Sequence, residues 1–371
     1  MSPRGAVRAG QESAVAGPAW ATDLLGGLRG AAGASTVALA VRRGCEYVVL
    51  VTGDTAWRGG APAGPDTRFE IGSLTKTFTA LLLAEMAARG EVALDDPISR
   101  FLPRAAAPHL QDSRITLLHL ATHTSGLPRL PPGFLRRGAP SWFSNPYAGY
   151  SPADLRRALT LTRPRAAPGT RVHYSNFGVG LLGDLLTRAV DGPTGPAPAD
   201  GGFDRLLSER VLRPLGLTRT NCAADQPQAI GHWHRRERPA WQMPVLPAAG
   251  AVRSSARDLL TALDALLEPA APPAVPDTLR TALTDVTKPR IALPRTGSRI
   301  GLIWNIRPRP GHDLYHHSGG TRGFTAFAGF SPQTGVALTA LANTSPALTG
   351  AFIQRAYLDL RALAHDASAA A

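Results

Sequence analysis

The sequence predicts an α+β protein, in which an antiparallel sheet built from N- and C-terminal strands is flanked by helices and interrupted by a mostly helical region. Apolar runs bounded by turn residues occur near both ends of the chain, and apolar residues at helical spacing dominate its middle. The predicted organisation is a disordered N-terminus over residues 1–16, a sheet domain over 17–90 and 250–371, and an inserted helical domain over 91–249.

The individual elements follow from apolar periodicity and from the turn residues between them. Strands are predicted at 35–41, 47–51, 67–71, 301–306, 314–317, 324–330 and 336–342. Helices are predicted at 19–28, 73–89, 96–101, 115–121, 151–161, 174–186, 203–211, 254–267 and 346–363. A flexible Gly/Pro-rich linker is predicted at 191–201, and a long aromatic loop at 128–150.

One serine precedes a lysine by three residues, where a strand-like run gives way to a helical one. Residues i and i+3 share a helix face, so Ser73 and Lys76 are expected to lie side by side. The helix is apolar on nearly all sides and should be buried, which favours the neutral form of a lysine. A neutral amine beside a serine hydroxyl can activate it as a nucleophile.

Lysine is scarce in this chain, which makes its position informative. Of the 40 Lys+Arg residues only Lys76 and Lys288 are lysines, leaving 38 arginines (40 minus 2). Arginine keeps its proton in proteins, whereas the lysine pKa falls readily on burial. The alternative is an ordinary surface lysine that follows a serine helix cap.

The bulk composition is typical of a globular protein and gives little support to nucleic-acid or membrane binding. The 371 residues carry a net charge of +13, but the arginines are scattered and the longest basic patch is residues 235–238. Cys45 and Cys222 match no metal or disulfide spacing. No signal-peptide core is visible near the N-terminus, so a soluble cytoplasmic protein without nucleic-acid or membrane partners is expected.

Two further motifs follow the serine–lysine pair along the chain. Tyr174-Ser175-Asn176 opens a helix, and His317-Ser318-Gly319 lies at the end of a C-terminal strand. With these motifs the sequence resembles the serine β-lactamase and penicillin-binding-protein-like superfamily, in its class C, D-aminopeptidase and esterase branch. The resemblance covers about residues 19–365 and includes three supporting blocks at 115–128, 214–217 and 248–259.

The resemblance implies a fold of the β-lactamase/transpeptidase type and acyl-enzyme chemistry. Ser73 would attack an acyl carbon, while Lys76 and Tyr174 exchange protons with it. A cationic neighbour would lower the pKa of Tyr174, which could then act as general base and afterwards as proton donor to the leaving group. Asn176 would hold the acyl side chain of the substrate or the amine of Lys76.

The C-terminal motif is expected to bind substrate through His317, Ser318 and Gly319. The resemblance also implies an oxyanion hole made by the backbone N–H groups of Ser73 and Gly320. His123 lies in the turn that precedes the long loop at 128–150. It is expected to be structural, with its ring tying the turn together.

His317 departs from the family, whose third motif begins with lysine. A histidine of ordinary pKa supplies a weaker, pH-dependent charge. This favours esters, amides or acyl transfer over efficient β-lactam hydrolysis. β-Lactamase or D-amino-peptide hydrolase activity remains an alternative, and so does a catalytically silent binding protein, although the intact Ser–Lys–Tyr set argues against the latter.

The expected partners are a small-molecule acyl donor and an amine or alcohol acceptor, with no cofactor or metal and with the oligomeric state open. The aromatic residues of the loop at 128–150 either roof the pocket or cover an ordinary surface. They are Trp142, Phe143, Tyr147 and Tyr150.

Overall fold

The computed structural model describes residues 17–102, 107–111, 113–191, 201–271 and 274–370. The predicted disordered N-terminus and the predicted linker, apart from its two end residues, lie outside these ranges. No helix among the described residues combines the length and apolarity needed to cross a membrane.

The two chain ends combine in one sheet, as predicted. Its strands are β1 (Thr36–Arg43), β2 (Glu46–Gly53), β7 (Ile291–Leu293), β8 (Ser298–Ile300), β9 (Asn305–Arg309), β10 (His312–Gly320), β11 (Thr325–Ser331) and β12 (Val336–Ala342). The order is β2-β1-β12-β11-β10-β9-β8-β7, and every neighbouring pair is antiparallel. This architecture confirms the predicted α+β class.

Two small strand pairs lie outside that sheet. The first joins β3 (Phe69–Glu70) to β6 (Arg253–Ser254), and the second joins β4 (His232–Trp233) to β5 (Arg236–Glu237). The first pair matters for the site because β3 leads directly into the turn that contains Ser73.

Eleven α-helices are found in the described part of the chain. They are α1 (Ala19–Ala32), α2 (Thr75–Ala88), α3 (Pro108–Gln111), α4 (Leu117–Ala121), α5 (Phe134–Gly138), α6 (Pro152–Leu161), α7 (Asn176–Asp191), α8 (Gly202–Leu207), α9 (Ala256–Leu267), α10 (Asp277–Asp285) and α11 (Ala351–Ala370). Most of α3–α8 falls between 107 and 207, the region predicted to be helical. The assignment of separate domains stays a prediction.

The sheet divides the apolar core into two layers because successive strand side chains point to opposite faces. On β1, Val37 and Leu39 face α1 and α11, while Ala38 and Ala40 face the layer that contains α2 and α9. Helix α2 is buried from Thr75 to Met86. An apolar surface on all sides is typical of a helix that is enclosed by other elements.

Several predicted boundaries were wrong for local reasons. The strand expected at 301–306 is interrupted because Ile303 has a positive φ of 69° and Gly301 N donates to Trp304 O. Helix α10 was missed inside a Pro-rich stretch, where its nine residues bury Leu279, Ala282 and Leu283. Helix α11 begins five residues late, after Gly350 with a φ of 64°.

Further differences concern short elements. Residues 98–100 form a single 3-10 turn instead of the helix expected at 96–101, and the predicted helix at 203–211 ends in a π-helical turn. The expected loop at 128–150 contains α5. Strand β3 has two residues where five were predicted.

Candidate active site

Ser73 lies in a 3-10 turn, Gly72–Leu74, that joins β3 to the N-terminus of α2. The turn is anchored because Ile71 N donates to Val252 O across the β3–β6 pair, at 3.1 Å. Gly72 takes a φ of 50°, which glycine adopts without strain. Ser73 remains partly exposed while its neighbours are buried, so its hydroxyl is accessible to a substrate.

Lys76 lies one turn further along, in the first turn of α2, and its side chain is fully buried. Its Nζ lies 3.0 Å from Ser73 Oγ and donates to the carbonyl oxygen of Ala249 at 2.6 Å. Burial, and then the positive charge of Arg129, lower the pKa of Lys76 well below its usual 10.5. The predicted contact between Ser73 and Lys76 is therefore present, and the lowered pKa of Lys76 favours the neutral amine.

Tyr174 approaches Ser73 from the loop before α7. Its hydroxyl donates to Ser73 Oγ at 2.6 Å, so the serine oxygen contacts both a phenol and an amine. Burial of the phenol raises the pKa of Tyr174 to about 12, against the opposing effects of the Ser73 hydrogen bond and Arg129.

A net lowering of the Tyr174 pKa by a cationic neighbour was expected and is not found, because burial outweighs the effect of Arg129. Arg129 Cζ does lie 5.3 Å from the ring centroid of Tyr174, and Lys76 Nζ lies 5.0 Å from it. However, Lys76 is itself driven towards the neutral form, and burial disfavours the phenolate. Tyr174 therefore keeps its proton in the resting site, and the lowered pKa of Lys76 favours its neutral form.

His123 holds Tyr174 in place. Its ring lies 4.5 Å from the Tyr174 ring, its Nδ1 accepts from Ser175 N at 3.3 Å, and its carbonyl accepts from His173 N at 2.7 Å. Burial lowers the pKa of His123 to about 3, which keeps the ring neutral. These contacts confirm that the ring ties the turn together.

Asn176, the first residue of α7, contacts Tyr147 rather than Lys76. Its Nδ2 donates to Tyr147 Oη at 3.0 Å, and its backbone N donates to Arg129 O at 3.0 Å. Within the described residues its buried Oδ1 has no hydrogen-bond partner. No hydrogen bond between Asn176 and Lys76 is found in the described part of the chain, and the expected contact of Asn176 with an acyl side chain stays a prediction.

Strand β10 runs beside the serine turn. A Cβ added at Gly319 would lie 2.8 Å from Ser73 N, and one added at Gly72 would lie 2.6 Å from Gly320 N. Only glycine permits this close approach of the two backbones. The amides of Ser73 and Gly320 are consequently neighbours at the expected oxyanion hole.

His317 and Ser318 point to opposite faces of β10 because strand residues alternate. His317 shares the Gly319 face towards Ser73 and is 5% exposed. Ser318 shares the face of His316, whose ring packs on Tyr357 of α11 at 5.1 Å. Any contact between Ser318 and a substrate would therefore involve its backbone.

His317 carries no charge at neutral pH. Burial lowers its pKa well below 6.5, and Lys76, His123 and His316 lower it further. The expected pH-dependent cation was therefore wrong, because the sequence did not reveal that the ring is enclosed among other basic groups. A neutral imidazole can exchange hydrogen bonds but cannot attract a carboxylate by charge.

Two residues of the site were not singled out from the sequence, and a third, Tyr147, was named only as a member of the aromatic loop. The three are Arg129 on the Tyr174 ring, Tyr147 beside Asn176, and Ala249, whose carbonyl holds Lys76. Ala249 lies in the block 248–259 that supported the resemblance, which was its only signal. Tyr147 belongs to the aromatic loop, whose relation to the pocket was left open.

The aromatic loop is divided between the core and the surface. Tyr147 and Tyr150 are buried against Phe134, at ring distances of 4.5 and 5.4 Å. Phe143 is 67% exposed and stacks on Trp233 at 6.3 Å. The loop therefore supplies Tyr147 to the site and an exposed aromatic pair beside it.

Across the described ranges, no group of three or more His, Cys, Asp or Glu side chains is arranged to hold a metal ion. Both cysteines, Cys45 and Cys222, are free thiols. The chemistry that this arrangement supports is proton transfer from Ser73 to Lys76, with Tyr174 as a hydrogen-bond and proton donor.

Comparisons with known proteins find related sequences over most of the chain. A family model described as Beta-lactamase matches residues 21–363. The D-alanyl-D-alanine-carboxypeptidase/endopeptidase AmpH of Escherichia coli K12 is 28% identical over 326 residues, covering 85% of this chain and 80% of AmpH. A Beta-lactamase of Pseudomonas fluorescens is 27% identical, covering 76% of this chain and 81% of its own. Esterase EstB of Burkholderia gladioli is 32% identical over 52% of this chain and 48% of its own.

Proposed function

Because this chain belongs to the β-lactamase family of serine hydrolases, we propose that Ser73 is its nucleophile and forms an acyl-enzyme with a small-molecule ester or amide. One observation carries this proposal. Ser73 Oγ lies within hydrogen-bond distance of both Lys76 Nζ, at 3.0 Å, and the Tyr174 hydroxyl, at 2.6 Å. A nucleophile within reach of a base and an acid is the arrangement that acyl transfer requires.

Acylation begins when neutral Lys76 accepts the Ser73 hydroxyl proton as Oγ bonds to the acyl carbon. The negative charge that develops on the carbonyl oxygen is accepted by the backbone N–H groups of Ser73 and Gly320. Tyr174 then gives its proton to the departing alcohol or amine and recovers one from the Lys76 ammonium. Lys76 and Tyr174 end this step in the protonation states in which they began.

The acyl-enzyme is released by water or by an amine or alcohol. Lys76, again neutral, removes a proton from the incoming nucleophile as it attacks the acyl carbon. Tyr174 gives its proton to the departing Ser73 oxygen and recovers one from the Lys76 ammonium. Hydrolysis and transfer differ only in which nucleophile arrives. Asn176 holds the acyl side chain through its unpaired Oδ1.

A second candidate is hydrolysis of β-lactams or D-amino peptides. The names of the relatives favour it, since they include β-lactamases and a D-alanyl-D-alanine carboxypeptidase. The neutral state of His317 counts against it, because the third motif then supplies no cation for a lactam carboxylate. Esters and amides without that requirement therefore remain the first choice.

The test measures product release from a p-nitrophenyl ester by the wild type and by Ser73→Ala. Loss of turnover is expected in Ser73→Ala, while Ser298→Ala on the remote strand β8 should behave as wild type. Equal turnover by Ser73→Ala and wild type would remove Ser73 from the chemistry. Adding a primary amine and comparing amide with acid product separates transfer from hydrolysis.

A further inference from the structure

Arg322 occupies the tip of the β10–β11 hairpin, close to the expected oxyanion hole. Gly320 pairs with Thr325, and Thr321 N donates to Phe324 O at 3.0 Å, so residues 322–323 form a two-residue loop. Arg322 thus follows Gly320 by two positions.

The backbone around this loop is fixed. Thr321 Oγ1 donates to the buried carboxylate of Glu70 at 2.7 Å and accepts from Gly323 N at 3.2 Å. Ser345 Oγ donates to the carbonyl of Arg322. The arginine side chain therefore extends from a rigid support, which is favourable for binding because little order has to be gained.

Arg238 reaches the same place from the segment after β5. Its backbone N donates to Gly231 O at 2.8 Å, and a Cβ added at Gly323 would lie 2.7 Å from Gly231 Cα. The chain that positions Arg238 thus touches the loop that carries Arg322. Each guanidinium packs on an aromatic ring, Arg322 on Trp142 at 5.1 Å and Arg238 on Trp233 at 4.8 Å.

Neither arginine has a carboxylate partner within ion-pair distance among the residues that the structure describes. This contrasts with other partly buried arginines of the chain, such as Arg42 with Asp264 and Arg299 with Asp313. Burial lowers the pKa of Arg322, and the charge of Arg238 lowers it further while Tyr147 opposes this. Two neighbouring guanidinium cations that lack an anionic partner form a site that favours the binding of an anion.

Arg322 is linked through one side chain, Tyr147, to the residue assigned to the acyl group. The charge of Arg322 acts to lower the pKa of Tyr147. The Tyr147 hydroxyl accepts a hydrogen bond from Asn176, which is the residue assigned to the acyl side chain. His317, on the same hairpin, is uncharged at neutral pH. The positive charge around the site is therefore supplied by arginines, by Arg129 on the Tyr174 ring and by Arg322 with Arg238 at the hairpin tip.

We propose that Arg322 and Arg238 bind a carboxylate carried by the acyl group, so that the preferred donors are half-esters or half-amides of dicarboxylic acids. This inference rests on the proposed acyl-enzyme function. The planar guanidinium matches a carboxylate through two parallel hydrogen bonds, and stacking on Trp142 and Trp233 holds each one in orientation. Arg322 and Arg238 are specificity residues, and the bond-making steps at Ser73 are unchanged.

The test compares two esters of equal chain length, p-nitrophenyl hydrogen glutarate and p-nitrophenyl valerate, which differ in a terminal carboxylate. Wild type is expected to show a kcat/KM about tenfold higher for the glutarate, from one charge-assisted contact. Arg322→Gln and Arg238→Gln should each reduce that ratio severalfold, through a lower kcat/KM for the glutarate. Arg307→Gln, an arginine packed on Tyr357 away from the site, should keep the wild-type ratio.

The outcomes separate this inference from the function on which it rests. Turnover of neither ester by wild type, or equal turnover by Ser73→Ala, refutes the acyl-enzyme function and the inference with it. Valerate turnover without a glutarate preference refutes the inference alone. So does a preference that persists in both arginine variants, or an Arg322→Gln variant that loses both esters equally, because the arginine would then be structural.

Discussion

Replacing Lys76 by arginine tests whether position 76 must supply a base or only a positive charge. Lys76 Nζ is enclosed between Ser73 Oγ and the Ala249 carbonyl, with no exposed surface, and its pKa is well below 10.5. Arginine retains positive charge but cannot give up its proton. Lys76→Arg therefore removes the base, which is expected to slow acylation by about 10²–10⁴-fold, or roughly 3–5 kcal/mol of transition-state stabilisation.

The assay is the rate of acyl-enzyme formation with an activated ester, followed by rapid quench and intact mass. Lys288→Arg is the matched control, because the second lysine of the chain is 60% exposed and pairs with Asp285 at 3.1 Å. Its rate should equal that of wild type. Thermal melting reports whether the larger side chain at position 76 disturbs the core. Acylation by a folded Lys76→Arg within tenfold of wild type would refute the role of Lys76 as base, since a cation would then suffice.

Three further predictions concern the same site. Tyr174→Phe should reduce kcat/KM for esters by about 10²-fold or more, because the proton donor is lost, and a rate near wild type would show that water replaces it. Gly319→Ala should abolish ester turnover, because its Cβ would collide with the Ile71 carbonyl and displace the serine turn, and retained activity would contradict the close approach of the two backbones. The pH profile of kcat/KM should rise through the lowered pKa of Lys76, since activity requires the neutral amine and is lost as pH falls. His317 should cause no change of kcat/KM near pH 6.5. A change there that disappears in His317→Gln would show that the His317 ring titrates in this range.

The parts of the fold that depend on local pattern were predictable from the sequence. Residues 336–342 are a nearly continuous apolar run, buried throughout, that gives β12 with the predicted boundaries. The burial of α2 followed from apolar residues on every side of the helix. The interruption at Ile303 and the helix in the Pro-rich stretch depend on tertiary packing, which outweighs local preference in short segments.

The features of the site also fall into those that local sequence predicts and those that depend on tertiary packing. The spacing of Ser73 and Lys76 on one helix face was enough to predict their contact, and burial of the helix predicted the neutral amine. The protonation of Tyr174 and His317 could not be predicted, because the pKa of each depends on enclosure by segments distant in sequence. Arg322 was not identified as a binding residue because the chain has 38 arginines. Only the structure shows that Arg322 lacks a partner carboxylate in the described part of the chain.

Intact mass spectrometry with peptide mapping, after incubation with a slowly released activated ester or a β-lactam, tests the central claim most directly. Wild type should gain the mass of one acyl group, located on the peptide that contains Ser73, and Ser73→Ala should gain none. An adduct that persists in Ser73→Ala, or the absence of any adduct on wild type with every probe, would contradict acyl-enzyme catalysis at this serine.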